Sequence, residues 1–233
     1  MKVLFVGHCT FRLTLADGAT LLTDPWFKNN RLWRTVPPAL GPDQVGTIHY
    51  LLSSHNHLDH IDAPGLALAV RQNAVVIGSS RVAGRARKAG VKNAVALAPG
   101  EEARQKSFTV QATPAFHPLA PDAIGFLIRA EGKQIYFSGD TRPDTRLRAF
   151  LQAAGRLDLC LLQVACARYF GQDDGLDQRT AGELALALKP AAVIPMHLHA
   201  RFKKPVDLMR FQDLLAPAGI AVKVMERGEE TEV

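Results

Sequence analysis

The densest chemistry in the chain is Ser54-His55-Asn56-His57-Leu58-Asp59-His60, three histidines and an aspartate within six positions. Imidazole nitrogen and carboxylate oxygen are good ligands for zinc and its first-row neighbours. In extended backbone, residues two apart point the same way, so His55 and His57 can converge on one ion. Pro64 and the apolar pattern after it signal a short helix. The chain must therefore bend, and beyond the bend Asp59 and His60 can face a second ion. Taken alone, the segment serves one metal or two, and Asp59 or Asp62 is also placed to cap the helix.

Two metals need further ligands, and the ends of strands are where loops present functional groups. Three residues stand at such ends: His117 in Ala115-Phe116-His117-Pro118, Asp140 in Ser138-Gly139-Asp140-Thr141, and His197 in Pro195-Met196-His197. Each alone also reads as a surface or turn residue. His8, in the first loop, and His199, two residues after His197, are candidates to carry a proton near neutral pH. Either also reads as a surface or supporting histidine. His49, inside a strand, reads as a packed or edge residue. Arg31, Trp33, Arg34, Tyr169, Phe170 and Arg201 fall in segments expected to border the site. Arginine forks suit phosphate or carboxylate, although solubility and loop packing explain each residue singly. Gln172-Asp173-Asp174-Gly175 lacks a complete calcium-loop pattern and reads as a solvated turn. The chain shows no Gly-x-Ser-x-Gly elbow and no Walker-type phosphate loop. A serine nucleophile and a nucleotide-hydrolysing loop are therefore not the expectation.

The elements that must hold these residues are short. Apolar runs predict strands at 2–6, 11–16, 20–23, 48–53, 74–77, 108–113, 124–130, 134–138, 157–164 and 191–195. Asp17-Gly18 and Glu131-Gly132 mark hairpin turns. Helices are expected at 80–89, ended by Gly90, and at 143–154, 180–188 and 206–215. Strands come first and then alternate with helices, which suits a layered α/β architecture with mixed sheets. Residues 29–46 carry three prolines and two glycines with little periodicity, and loops of that length are often functional.

The 233 residues carry 28 basic and 22 acidic side chains, a formal charge of +6. That surplus steers anions toward the protein without forming a polybasic tail. Arg81, Arg85, Arg87 and Lys88 read as the solvated face of a helix. No recognition motif for nucleic acid is evident. No apolar run reaches the ~20 residues that span a bilayer, and the first apolar run is too short for a signal-peptide core. The expectation is a cytoplasmic protein without a transmembrane segment, folded as a single domain over residues 1–233. Cys9, Cys160 and Cys166 are too few for a disulfide framework. Cys160 reads as a small buried thiol.

In this order, His55-Asn56-His57-Leu58-Asp59-His60, His117, Asp140 and His197 resemble the metallo-β-lactamase superfamily. Leu22-Thr23-Asp24-Pro25 is similar to its early aspartate motif, and the likeness runs from Gly7-His8 past His197. Gly7-His8-Cys9-Thr10, Leu22-Thr23-Asp24-Pro25-Trp26-Phe27 and His55-Asn56-His57 look closest to two branches. One holds L-ascorbate-6-phosphate lactonase, the other N-acyl-phosphatidylethanolamine-hydrolysing phospholipase D.

The resemblance implies a four-layer αββα sandwich with metals at one edge between the sheets. It assigns His55, His57 and His117 to a first metal, Asp59, His60 and His197 to a second, Asp140 to a bridge, and Asp24 to support. Asp59, His8 and His199 are then the candidate catalytic groups. Oxygen-reducing di-iron relatives carry glutamate where His57 stands, so two Zn2+ are expected, with Mn2+, Fe2+ or Ni2+ able to substitute. The implied activity is hydrolysis by a bridging hydroxide, cleaving an ester-like bond. The expected substrate is small or lipid-like and anionic, such as a phosphodiester or phosphorylated lactone. The alternatives are a nuclease acting on RNA or DNA, an iron-containing redox or sensor protein, and a binding module without catalysis. The last should have lost ligands that this chain retains.

Overall fold

The computed structural model describes residues 1–169 and 171–233; Phe170 and the side chain of Tyr169, both expected to border the site, lie outside the description. The chain opens with β1 (Lys2–Gly7), β2 (Thr10–Thr14) and β3 (Thr20–Thr23), then β4 (Tyr50–Ser53), α1 (Ala63–Arg71), β5 (Val75–Gly78), α2 (Ser80–Lys88), β6 (Ala94–Ala96) and β7 (Glu102–Arg104). It continues through β8 (Phe108–Pro114), β9 (Ile124–Ala130), β10 (Lys133–Phe137), α3 (Thr145–Ala153), β11 (Leu159–Gln163), β12 (Arg168–Tyr169) and β13 (Gln172–Asp173). It closes with α4 (Gln178–Leu188), β14 (Ala192–Met196), α5 (Leu208–Leu215), a 3-10 turn, β15 (Ala221–Val222) and β16 (Glu230–Glu232).

Two seven-stranded sheets form, ordered β16-β1-β2-β3-β4-β5-β6 and β15-β14-β11-β10-β9-β8-β7. Each is antiparallel at one side and parallel at the other. The alternation of side chains sets the layers. Val3, Phe5, Phe11 and Leu13 of the first sheet meet Phe108, Val110, Phe126, Ile128 and Phe137 of the second in a buried inter-sheet core. The opposite face of the second sheet, including Leu127, Tyr136 and Leu162, packs under α3, α4 and α5 through Leu147, Leu151, Leu184 and Phe211. The outer face of the first sheet lies under α1 and α2. The architecture is thus the expected four-layer αββα sandwich.

Both anticipated hairpins form. Gly18 (φ +86°) turns β2 into β3, and Glu131-Gly132 (φ +54° and +72°) turns β9 into β10. The paired positive φ values match the hairpin's right-handed twist. Helix starts are set less by apolar periodicity than by capping aspartates. Asp62, Asp144, Asp177 and Asp207 each accept a backbone N–H in the first turn of α1, α3, α4 and α5. Strands β6, β7, β15 and β16 were not expected. They are only two or three residues long, too short to show a period of two.

The 29–46 loop divides into two parts. Its later half is a cover: Val45, with Ile48 beyond it, packs on Leu4, Val6, Leu22 and Phe27, and Ala39 N–H donates to the carbonyl of Val6. Its early half runs beside the segment after β14, with an isolated bridge between Arg34 and Ala200.

Asp62 is the joint between the metal-ligand candidates and α1. Its Oδ1 accepts from Gly65 N at 2.8 Å, and its Oδ2 accepts from Phe27 N and Lys28 N at 2.7 and 2.6 Å. Asp62→Ala leaves these donors unpaired, and the expected loss is about 1–3 kcal/mol of stability. Chemical denaturation should show the midpoint shift; an unchanged midpoint would contradict this role.

Candidate metal centre

Strand direction brings the predicted residues together. β1, β3 and β4 run parallel to one another, because β2 reverses between the first two. β8, β10 and β14 likewise share a direction in the second sheet. The C-terminal ends of all six strands therefore lie along one edge. From them emerge His8, Asp24, the 55–60 segment, His117, Asp140 and His197.

Two groups of donor atoms result. His55 Nε2 lies 3.0 Å from His57 Nδ1, which lies 3.3 Å from His117 Nε2. Two nitrogens each held at about 2.0–2.1 Å by one tetrahedral ion stand about 3.3–3.4 Å apart, so this trio fits a metal. In the second group, Asp140 Oδ2 is 3.5 Å from His60 Nε2 and 3.2 Å from His197 Nε2. Asp59 Oδ2 lies 3.8 Å from each of those nitrogens and 3.5 Å from His8 Nε2. Asp140 also falls within ligand range of His55 and His60 together, so it stands between the groups. The Sγ of Cys9 clusters with His8, His60 and His197 as well.

Four atoms at this edge are buried and unpartnered. His8 Nε2, His60 Nε2, His197 Nε2 and Asp140 Oδ1 have no hydrogen-bond partner among the described residues. Buried polar atoms are ordinarily satisfied, and a cation would supply the missing partner of His60, His197 and Asp140. Burial opposes charge on Asp140, but His197 and His60 outweigh it and hold the carboxyl well below its usual range. Burial pushes His55 well below its ordinary value, keeping the neutral form that binds metal. His60 is also opposed by burial, yet Asp140, Asp59 and Asp24 raise it well above the ordinary value.

Residues around the candidate ligands fix their aim. Asp24, fully buried, receives Ser54 N and Ser54 Oγ at 2.7 Å and faces His60 Nδ1 at 2.6 Å. His117 Nδ1 is 2.6 Å from the carbonyl of Asp174, and His197 Nδ1 is 2.8 Å from that of Ala165. Gln163 Oε1 accepts from Thr141 N, pinning the residue after Asp140. Gly139 (φ +54°) passes so close to Ser54 that a Cβ would lie 2.7 Å from Ser54 Cβ. His8, Asp24 and His197 all adopt positive φ, a concentration of backbone strain typical of functional sites.

Several expectations need correction. Asp174 does not sit in a solvated turn: it is buried, accepts from Ala167 N at 2.7 Å, and pairs with Lys203 at 3.1 Å. Arg34 is not exposed to substrate. It is 1% exposed, donates to the carbonyls of Trp26 and Val36, and stacks on the Trp26 ring. Arg85 is more than a solvated face, since its Nη1 donates to the carbonyl of Asn56. Arg201 donates to the carbonyl of Arg31, while Trp33 and Phe202 meet edge to face and stay exposed. His199 turns its Nδ1 to the backbone N–H of His8 and stacks on Phe5, and burial with Arg34 and Arg227 lowers it to about 4. Lys203 was missed. Its side chain is 11% exposed. Burial works against its charge, but Asp140, Asp174 and Asp59 raise it above the ordinary lysine value. A lone lysine six residues after a histidine carries no sequence signal.

Residues 19–198 match the family profile described as the β-lactamase superfamily domain. The chain is a member of that superfamily. It is 31% identical to a UPF0173 metal-dependent hydrolase of Carboxydothermus hydrogenoformans, covering 98% of each chain. Its fold matches that of a novel metallo hydrolase from the archaeon Ignicoccus hospitalis, with TM-score 0.81, 23% identity, and 99% and 97% of the two chains covered. It also matches an isothiocyanate hydrolase from Delia radicum gut bacteria, with TM-score 0.85, 17% identity, and 100% and 99% covered. The protein is a metal-dependent hydrolase of the metallo-β-lactamase fold. Among the described residues, no helix is long and apolar enough to cross a membrane.

Asp24→Ala should lower metal affinity about 10–100-fold, because it frees His60 and Ser54 together. Competition with a chromophoric chelator measures this; unchanged affinity would show that Asp24 does not orient the centre.

Proposed function

We propose that the hydrolase uses a dinuclear zinc centre to cleave an ester-like bond in a small anionic substrate, such as a phosphodiester or phosphorylated lactone. The observation that carries the reading is the convergence of two donor groups joined by Asp140, with His60 and His197 offering Nε2 to one side. His55, His57 and His117 would hold one ion. Asp59, His60 and His197 would hold the other, with Asp140 shared. When bound, the pair supplies Lewis-acid polarisation of the scissile carbonyl or phosphoryl oxygen and a water acidic enough to react near neutral pH.

The chain's own groups then bind and orient. Asp59 and Asp140 contribute the negative charge that favours divalent ions over a bare imidazole cage. The three hydrogen-bonded imidazoles His60, His117 and His197 are held in one orientation by Asp24 and by the carbonyls of Asp174 and Ala165. Lys203, tied to Asp174 and within the field of Asp140 and Asp59, is the cation placed to receive a substrate anion. Its position supports an anionic substrate more directly than the overall charge of +6 does. His57, standing where oxygen-reducing di-iron relatives carry glutamate, favours zinc over a di-iron centre.

A panel of phosphodiesters, lactones, thioesters and β-lactams, run with and without added zinc, tests the proposal. Zinc-dependent turnover of an anionic ester-like member is expected, and activity confined to neutral substrates or requiring oxygen would contradict it. His57→Ala and Asp140→Ala should each remove turnover while the circular dichroism spectrum persists; full turnover in either argues against the ligand set. Lys203→Met should raise KM for an anionic substrate at least tenfold, with a smaller change for a neutral analogue. Equal effects on both would remove Lys203 from substrate binding.

A further inference from the structure

The imidazoles at this edge differ in what their Nδ1 atoms face. For His60, His117 and His197 the neighbour is an oxygen: Asp24 Oδ2, the Asp174 carbonyl and the Ala165 carbonyl, at 2.6, 2.6 and 2.8 Å. An oxygen acceptor calls for a proton on Nδ1, which leaves the Nε2 lone pair free for a metal. His8 is the reverse. Its Nδ1 faces the backbone N–H of His199 at 3.4 Å, and His199 Nδ1 accepts the backbone N–H of His8 at 2.9 Å. The two rings thus clasp each other's backbones. His197 N–H, donating to the His8 carbonyl at 3.0 Å, closes the same junction. A donor at Nδ1 requires a lone pair there, so the neutral His8 ring carries its proton on Nε2.

We infer that His8 is a positioning residue whose Nε2–H is directed at Asp59 Oδ2, and that His199 fixes the tautomer making it a donor rather than a metal ligand. The inference rests on the ligand assignment proposed above. Distance alone admits another reading, since the ligand atoms of His8, Cys9, His60 and His197 all lie within 4.8 Å of one another. To coordinate through Nε2, however, His8 would have to move its proton to Nδ1, against the N–H of His199. That contact would set two donors face to face in a fully buried position, losing a hydrogen bond where no solvent replaces it. The ring is also wedged, edge-on to Trp26 at 4.9 Å and tilted over His197 at 4.2 Å between centroids.

The His8 Nε2 to Asp59 Oδ2 separation is 3.5 Å, just beyond hydrogen-bond length. Asp59 is the partner placed to close it, because its side chain is 27% exposed while that of His8 is fully buried. Closing it would leave the other carboxylate oxygen of Asp59 for the metal. The strained backbones of His8 (φ +61°) and His197 (φ +73°) meet at this clasp. It therefore joins the first turn of one sheet to the ligand-bearing end of the other.

The test is long-range proton–nitrogen NMR of imidazole-labelled, zinc-loaded wild-type protein. His8 should show a protonated Nε2, an unprotonated Nδ1 and no metal-type shift. His60, His117 and His197 should show protonated Nδ1 and metal-shifted Nε2. A protonated Nδ1 with metal-shifted Nε2 at His8 would overturn the inference alone, whereas loss of the metal shift at all the other histidines would overturn the ligand assignment. A second measurement uses cobalt in place of zinc. His8→Ala should weaken the second ion about 10–100-fold without changing the coordination number read from the visible spectrum. His8→Gln, which restores an N–H near the same place, should recover most of that affinity. A change of coordination number in His8→Ala, unaltered affinity in it, or no recovery in His8→Gln would each overturn the positioning role.

Discussion

Buried polar atoms without partners are costly, and this protein gathers several of them at one edge. His60 and His197 each present an Nε2, and Asp140 an Oδ1, with no hydrogen-bond partner among the described residues, on side chains 0–3% exposed. The neighbourhood also holds three imidazole nitrogens linked by contacts of 3.0 and 3.3 Å. No arrangement of protons alone lets three ring nitrogens at that spacing serve one another fully. Cations would resolve both conditions at once. Much of the surrounding structure can be understood as what keeps these atoms aimed inward, with their other ring nitrogens hydrogen-bonded outward.

The two sheets divide that task. The first supplies His8, Asp24 and the 55–60 segment; the second supplies His117, Asp140 and His197. Neither set is complete without the other, so the geometry of the centre depends on the inter-sheet core of Phe5, Phe11, Phe126 and Phe137. Interiors packed to crystal-like density transmit small displacements, and substitutions in that core should disturb ligand spacing as well as stability. Two contacts between the sheets near the site reinforce the spacing: Gly139 packs on Ser54, and His197 donates to His8.

The layered fold was legible because its signals are local. Asp17-Gly18 and Glu131-Gly132 specify turns by backbone conformation, and the 108–113 run alternates as a one-sided strand must. The candidate ligands were legible for another reason: His-x-His followed by Asp-His compresses much of the proposed centre into one segment. His117, Asp140 and His197 carried little individually, and their order along the chain made the pattern. What stayed hidden was set by tertiary contact. Asp174 resembles a polar turn, and its burial arises only when Lys203 and Ala167 close around it. Arg34 resembles a substrate arginine, but it is buried, with its Nε and Nη1 donating to Val36 and Trp26. The placement of His199 follows from its hydrogen bond to a backbone 191 residues away, which no local pattern encodes.

The most direct measurement is a crystal structure of the zinc-loaded protein with anomalous data collected on both sides of the zinc edge. Two peaks are expected. One should lie about 2.0–2.1 Å from His55 Nε2, His57 Nδ1 and His117 Nε2, and the other should contact His60 Nε2 and His197 Nε2, with Asp140 between them. No peak at this edge of the sandwich, or zinc found only at surface histidines, would contradict the assignment of these side chains as the metal centre.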